Sequence, residues 1–154
     1  MVKFYFKKSK KENNLKALFY AYRYASQNPL ENYKIKYSDS AILVAKKIND
    51  NSILAEAYIN KSTLLFAKKQ HDVASNYLML ANKIAEKTND DYLKYQTIYF
   101  IAQNYLYLGQ LSDAKKEYEK CVNFYSENLN KSNTFGKNYE MMFICSLISL
   151  IDTK

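Results

Sequence analysis

The chain has 154 residues, a formal net charge of +8, and only two glycines and one proline. This scarcity excludes glycine-rich nucleotide loops and β-rich folds, because phosphate-binding turns and tight hairpins depend on those residues. The only histidine is His71, and the two cysteines, Cys121 and Cys145, lie too far apart for a paired zinc motif. We therefore predict no metal site, no cofactor and no catalytic residue, so that the protein is not an enzyme.

The positive charge is concentrated at the amino-terminal end. Residues 1–16 carry six lysines against Glu12, and the only arginine in the chain is Arg23. Because arginine is the side chain that binds phosphates and guanine in bidentate fashion, a lysine-rich solvated surface is the simpler interpretation. A direct nucleic-acid binder acting through the lysine-rich N-terminus remains an alternative, which predicts salt-sensitive binding to DNA.

Helical periodicity predicts seven helices joined by short turns, which favours antiparallel helix hairpins. Pro29 suits the first turn of the second helix, and Gly109 suits a left-handed helix end. Asp50, Asp72 and Asp90 are predicted to cap helices. Residues 130–137, including Gly136, form the only long loop. The predicted ranges are 13–27, 30–48, 51–68, 72–88, 91–108, 112–128 and 138 to at least 151.

The hairpins repeat with a period of 40 residues. Residues 45–50 (AKKIND) and 85–90 (AEKTND) share Ala, Asn and Asp at equivalent places, and Ala41 matches Ala81. A helical hairpin that recurs at a fixed period is typical of a solenoid, in which each unit buries its apolar face on its neighbours.

The third hairpin carries the pattern Ile98-x2-Ile101-Ala102-x2-Tyr105-x3-Gly109-x4-Ala114-x3-Tyr118-x2-Cys121, which resembles the tetratricopeptide repeat. The second hairpin keeps Leu65, Ala74, Leu78 and Ala81 but has Ser62 and Lys69 at the first small position and the turn glycine. The first hairpin keeps Ala41 and Ala45 but departs at Lys34 and Ser38. The resemblance implies an all-α, right-handed α-solenoid in a single domain, 1–154. Its hairpins would span 12–49, 50–89 and 90–129, followed by a trailing helix at 138–153.

The long period and residues 37–50 resemble the repeat region that precedes the AraC-type helix-turn-helix domain of bacterial transcription regulators. This resemblance implies a sensory or self-association module, with DNA bound only through a domain absent from this chain. Residues 4–11 and 147–154 read as parts of further hairpins, so we expect a piece of a longer protein. A free-standing adaptor with an exposed apolar edge is the alternative.

The sequence has no apolar run long enough for a membrane span, so we expect no membrane insertion by this segment. We also expect no secretory signal, because residues 1–11 lack its apolar centre. We predict a cytoplasmic location. A periplasmic location is the alternative if a parent protein has a membrane span after the repeats.

In the resembled family, the first helices of successive hairpins line a concave groove. The implied lining residues suit a protein or peptide partner, through amide hydrogen bonds and tyrosine contacts. The alternative is a solvated wall or hydrogen bonds within the array. The family's clamp for chaperone carboxylates needs Lys and Asn, and only Asn60 fits, so that partner is excluded. The lining residues are Glu56, Ile59, Asn60 and Thr63, then Gln96, Tyr99, Gln103 and Tyr107.

For three further groups of residues, a structural role is a simpler interpretation than a functional one. The sixteen tyrosines suit helix–helix packing in the core or at its rim, with a base-stacking platform as the alternative. Met79 reads as core of the fourth helix. Met141 and Met142 read as core of a following repeat or as an adaptable contact surface. The edge of the solenoid at the last helix is also a candidate surface for forming a homodimer.

Overall fold

The computed structural model describes residues 2–28, 33–131 and 138–153. These residues form eight α-helices and one short 3-10 helix, with no strand among them, so the predicted all-α fold class is confirmed. The helices are α1 (Val2–Lys11), α2 (Leu15–Gln27), α3 (Lys34–Ile48), α4 (Asn51–Ala67), α5 (His71–Ala85), α6 (Asp91–Tyr107), α7 (Leu111–Glu127) and α8 (Tyr139–Ile151). The 3-10 helix spans Leu129–Lys131.

The predicted helix boundaries agree with the structure to within a few residues. The largest differences are that α3 begins at Lys34, four residues later than predicted, and that α5 ends at Ala85, three residues earlier than predicted. Residues 4–11, interpreted from sequence as the end of a preceding helix, belong to α1. Pro29 and Gly136 lie outside the described residues.

The chain divides into two compact units, Met1–Thr88 and Asn89–Lys154. In the first unit, each of the helices α1 to α4 packs on the next helix along the chain, and the series ends with α5. In the second unit, α7 packs on both α6 and α8. The single continuous domain expected from the sequence stays a prediction.

Two of the three predicted aspartate caps are confirmed. The Asp50 carboxylate accepts hydrogen bonds from the backbone N–H groups of Ser52 and Ile53, and that of Asp90 accepts one from Leu93. The prediction for Asp72 is wrong, because α5 begins at His71 after Gln70 and places Asp72 inside the first turn. There its charge still interacts favourably with the helix dipole.

Small residues form the contact between the two helices in both the second and the third hairpin. The equivalent pairs Ser62 and Ala102, Ala74 and Ala114, and Ala81 and Cys121 are 40 residues apart, and all six have no exposed surface. In the second hairpin, the Ser62 hydroxyl donates to the Ala74 carbonyl oxygen at 2.9 Å. A side chain as short as serine can reach the facing backbone only where the two helices approach closely, which small residues permit.

Tyrosines dominate the core of the second unit. Tyr92 and Tyr139 meet edge to face at 4.9 Å, and Tyr95 stacks on Phe124 at 3.8 Å. Tyr125 is completely buried among these rings, and burial raises the pKa of its hydroxyl. The core interpretation of these tyrosines is therefore confirmed, and their rings pack between α6, α7 and α8.

The two cysteines are free thiols in the same part of the chain. Cys121 is fully buried, and burial raises its pKa to about 12, so the reactive thiolate is scarce at neutral pH. Cys145 is half-buried and packs against the tyrosine-rich core. Cys121 thus acts as a small core residue, as predicted.

The core prediction for Met79 is wrong. Its side chain is 69% exposed, whereas the preceding Leu78 is 2% exposed. Successive side chains on a helix point about 100° apart, so α5 can turn only one of these two neighbours toward α4.

The second and third hairpins turn through the same left-handed backbone. Lys69 has φ +60° and Gly109 has φ +74°, and the two residues lie one 40-residue period apart. The next residue, Gln70 or Gln110, donates its N–H to the carbonyl of Leu65 or Tyr105. This paired hydrogen-bonding pattern is the common left-handed helix end, and Lys69 maintains it without the conformational freedom of glycine.

We predict that Lys69→Gly raises the free energy of unfolding by about 0.5–1 kcal/mol, because glycine tolerates positive φ. The converse variant, Gly109→Ala, should lower it by about 1 kcal/mol. No atom lies within 4 Å of a Cβ at position 109, so backbone conformation is the only cause available. Urea unfolding of both variants checks the prediction, and stabilisation by Gly109→Ala would contradict it.

Candidate functional site

The first unit presents a polar and aromatic face formed by two neighbouring helices. Its members are spaced three or four residues apart on each helix, so they share a side. We call this the α2–α4 face. It consists of Tyr20, Arg23, Tyr24 and Gln27 on α2, and of Glu56, Asn60 and Thr63 on α4.

Asn60 joins the two helices at the centre of the α2–α4 face. It is 7% exposed, its amide donates to the Ser26 hydroxyl at 2.8 Å, and its carbonyl accepts from the Gln27 amide at 3.1 Å. The Ser26 hydroxyl in turn donates to the carbonyl of Arg23 at 2.6 Å. The Asn60 side chain is therefore engaged within the array, as the alternative to groove binding expects.

Glu56 is paired rather than free. Its carboxylate Oε1 lies 2.9 Å from Nη1 of Arg23, and both side chains are about one-quarter exposed. Burial raises the pKa of Glu56, and the neighbouring guanidinium offsets only part of that rise. Arg23 also lies 5.9 Å from the centre of the Tyr24 ring, so it is held between the two helices.

The exposed members of the α2–α4 face can meet a partner. Tyr24 is 62% exposed, Tyr20 is 37% exposed, and Gln27 and Thr63 are also exposed. The two rings lie 6.5 Å apart. Together they offer a shallow aromatic surface beside amide and hydroxyl groups, which can pack against apolar side chains and bind polar backbone groups.

In the second unit, the predicted groove residues lie on α6 and differ in exposure. Gln103 and Tyr107 are exposed, whereas Gln96 is half-buried and Tyr99 is 9% exposed. The Gln103 amide donates to the Tyr99 hydroxyl at 2.9 Å. Burial raises the pKa of Tyr99, and a hydrogen bond with Ser149 of α8 opposes that rise. Tyr99 thus belongs to the core, while Gln103 and Tyr107 are exposed on the surface of α6.

The residues that α2 contributes to the α2–α4 face were not predicted from the sequence. Tyr20, Tyr24 and Gln27 follow helical spacing, but the first hairpin departs from the repeat pattern, and the predicted groove residues lay only in the second and third hairpins. Their spacing was the available signal, since residues at i, i+4 and i+7 share a face. The other tyrosines of this hairpin, Tyr22 and Tyr37, instead pack on Phe6 at 4.6 and 5.8 Å.

Features of catalytic or metal chemistry are sparse in the part of the chain that the structure describes. Within residues 2–28, 33–131 and 138–153, no three His, Cys, Asp or Glu side chains cluster to hold a metal ion. His71 packs against the Phe66 ring at 5.5 Å. No helix in these ranges is long and apolar enough to cross a membrane.

An ion pair between a buried lysine and a half-exposed aspartate joins α4 to α3 in the first unit. Lys61 is 5% exposed, and its ammonium lies 2.6 Å from Oδ1 of Asp39, whose side chain is half exposed. The equivalent position one period later is Ile101. The pair therefore occupies a place where the next repeat has an apolar side chain.

We predict that Asp39→Ala lowers the free energy of unfolding by about 1.5 kcal/mol, because it leaves the Lys61 ammonium buried without its carboxylate. The effect should stay below that of a fully buried pair, since Asp39 is half exposed. Lys61→Met should be neutral or stabilising. In the Lys61→Met background, Asp39→Ala should have little effect on the free energy of unfolding. Urea unfolding of the double-mutant cycle checks this. If Asp39→Ala lowered the free energy of unfolding equally with Lys61 and with Met at position 61, the ion pair would not be the cause.

A comparison with known families matches the two best-formed hairpins. The family model described as tetratricopeptide repeat matches residues 55–88 and 95–128, which begin one 40-residue period apart. These segments contain α5 and α7 with most of α4 and α6. No curated protein and no solved structure is significantly similar to the chain.

The matched segments carry the features on which the sequence resemblance rested. They contain the buried small residues at the helix contacts and the left-handed turns at Lys69 and Gly109. Repeats of this kind are protein-interaction modules. The two matched hairpins, which make up less than half of the chain, are therefore similar to tetratricopeptide repeats.

Proposed function

We propose that this chain is a non-enzymatic module that binds a peptide or protein segment on the exposed side of α6. The observation that carries the proposal is the exposure of Gln103 and Tyr107 on this helix. Both lie in the second segment that the tetratricopeptide-repeat model matches. They are also among the residues that the family resemblance implies for the groove.

The chemistry of these side chains suits a polypeptide. The Gln103 amide retains acceptor capacity for a peptide N–H while donating to Tyr99. Tyr107 is 58% exposed and offers a large ring with a polar tip, the kind of side chain enriched at protein interfaces. On the α2–α4 face, Tyr20 and Tyr24 add the same chemistry beside Gln27.

We further propose that the module senses a partner or associates with itself within a bacterial transcription regulator. The support is the resemblance of residues 37–50 to the repeats that precede AraC-type DNA-binding domains. In the structure this segment comprises most of α3 and the Asp50 cap that begins α4. Partner binding to the repeats would change how an attached DNA-binding domain is presented, while DNA contact would belong to that other domain.

A displayed library of random peptides, selected on the 154-residue chain, tests the binding proposal. We expect enriched peptides whose affinity falls about tenfold in the double variant Gln103→Ala/Tyr107→Ala, which corresponds to about 1.4 kcal/mol. Lys116→Ala is the matched control, because Lys116 is an exposed residue on α7. Failure to enrich any peptide would contradict the proposal, as would equal affinities for the double variant and the control.

A further inference from the structure

Helix α8 has two apolar faces, of which the described structure covers only one. Tyr139 and Ser146 are buried, and Met142, Phe143 and Leu150 pack against the tyrosine-rich core of α6 and α7. The other face is open, with exposed fractions between 40% and 56%. It consists of Met141, Ile144, Leu147, Ile148 and Ile151, which we call the α8 stripe.

The spacing of the α8 stripe is that of a helix–helix seam. Met141, Ile144, Ile148 and Ile151 follow intervals of three, four and three residues, the a and d positions of two heptads. These intervals are symmetric about Ser146, which lies midway between Ile144 and Ile148 in the sequence. A second α8 helix lying antiparallel would therefore place Ile144 beside the partner subunit's Ile148, and Met141 beside the partner subunit's Ile151.

The distribution of charge also favours a second copy of this chain as the partner of the α8 stripe. No Lys, Arg, Asp or Glu occurs from Met141 to Ile151, although the whole chain carries +8. Two copies repel each other least where each presents a surface without cations. An uncharged seam whose pattern is its own mirror image is thus suited to a second copy of this chain.

We propose that two copies of this chain associate through the α8 stripes in an antiparallel, two-fold arrangement. The proposal deepens the self-association part of the proposed function and rests on it, but it needs no peptide on the groove residues. The ten intervals from Met141 to Ile151 rise only about 15 Å. Such a short seam predicts a weak dimer whose population rises with protein concentration.

Acidic residues at the two ends of the α8 stripe distinguish an antiparallel from a parallel arrangement of the two helices. Glu140 and Asp152 flank the stripe and are both exposed. In the antiparallel arrangement, each Glu140 faces the partner subunit's Asp152, so two like-charge contacts weaken the dimer. In a parallel arrangement, Glu140 would instead face the partner subunit's Glu140.

Sedimentation equilibrium of the 154-residue chain over a range of concentrations tests the association. Ile144→Glu and Ile148→Glu should each weaken the dimer more than about tenfold, because they place a charge in the apolar seam. Both side chains are exposed in the single chain, so circular dichroism should report an unchanged fold. Met79→Glu is the control, since Met79 is 69% exposed on α5 and lies off the stripe.

The charge-reversal variant Glu140→Lys tests the antiparallel geometry. It should strengthen the dimer about fivefold, because the new ammonium faces the partner subunit's Asp152 in two symmetric contacts. Glu140→Lys combined with Asp152→Lys should lose that gain. A dimer that Glu140→Lys leaves unchanged or weakens would overturn the antiparallel arrangement, because in a parallel one the variant only exchanges one like-charge contact for another.

Two results of the sedimentation experiment would overturn the dimer itself. One is a monomer at every concentration, and the other is equal behaviour of Ile148→Glu and Met79→Glu. Peptide binding by the same Ile148→Glu variant separates this proposal from the binding proposal. The variant should retain peptide affinity while losing self-association, so the two proposals can fail independently.

Discussion

The close contact between the two helices of each matched hairpin is the constraint on which the rest of the structure depends. At Ser62 with Ala74, and at the equivalent Ala102 and Ala114, the side chains are small and completely buried. The hydrogen bond from Ser62 to the Ala74 carbonyl shows how near the two backbones lie. Because these helices meet closely, larger residues such as Leu78 and Tyr118 can fill the space beside the contact.

Polar groups buried between helices then fix the register of one helix on another. Asn60 holds α4 on α2 through Ser26 and Gln27, and Lys61 holds α4 on α3 through Asp39. A buried polar group without a partner is costly, so such pairs disfavour shifted packing more strongly than apolar contacts do. This explains why Asn60, one of the residues predicted to bind a partner, serves the architecture, whereas Thr63, Gln103 and Tyr107 are exposed on their own helices.

Local signals in the sequence were sufficient to predict the hairpins and their period. Small residues 40 apart, the Asp50 and Asp90 caps and the glycine turn all act over short stretches of chain. Lys69 shows the limit of this approach, because its left-handed backbone became recognisable only from its place one period before Gly109. Asp72 failed as a cap because helix α5 begins one residue earlier than predicted, and a shift of one position removes a cap.

The composition of the exposed faces was harder to predict, because burial depends on which helices are neighbours. The engagement of Asn60 depends on Ser26 and Gln27, more than 30 residues earlier on a helix that could not be aligned. Met141 and Met142 were predicted as one group, but the orientation of α8 exposes the first and packs the second on the core. The open side of α8 thus became evident only from its packing on α6 and α7.

Enlarging the small residues at the helix contacts tests the central claim most directly. Ala74→Leu and Ala114→Leu should each lower the free energy of unfolding by about 2 kcal/mol, because the added atoms force the two helices apart. Ala67→Leu, at an exposed site near the end of α4, is the control and should change it by less than about 0.5 kcal/mol. Equal stabilities of all three variants in urea unfolding would contradict the claim that close helix contacts hold the repeats together.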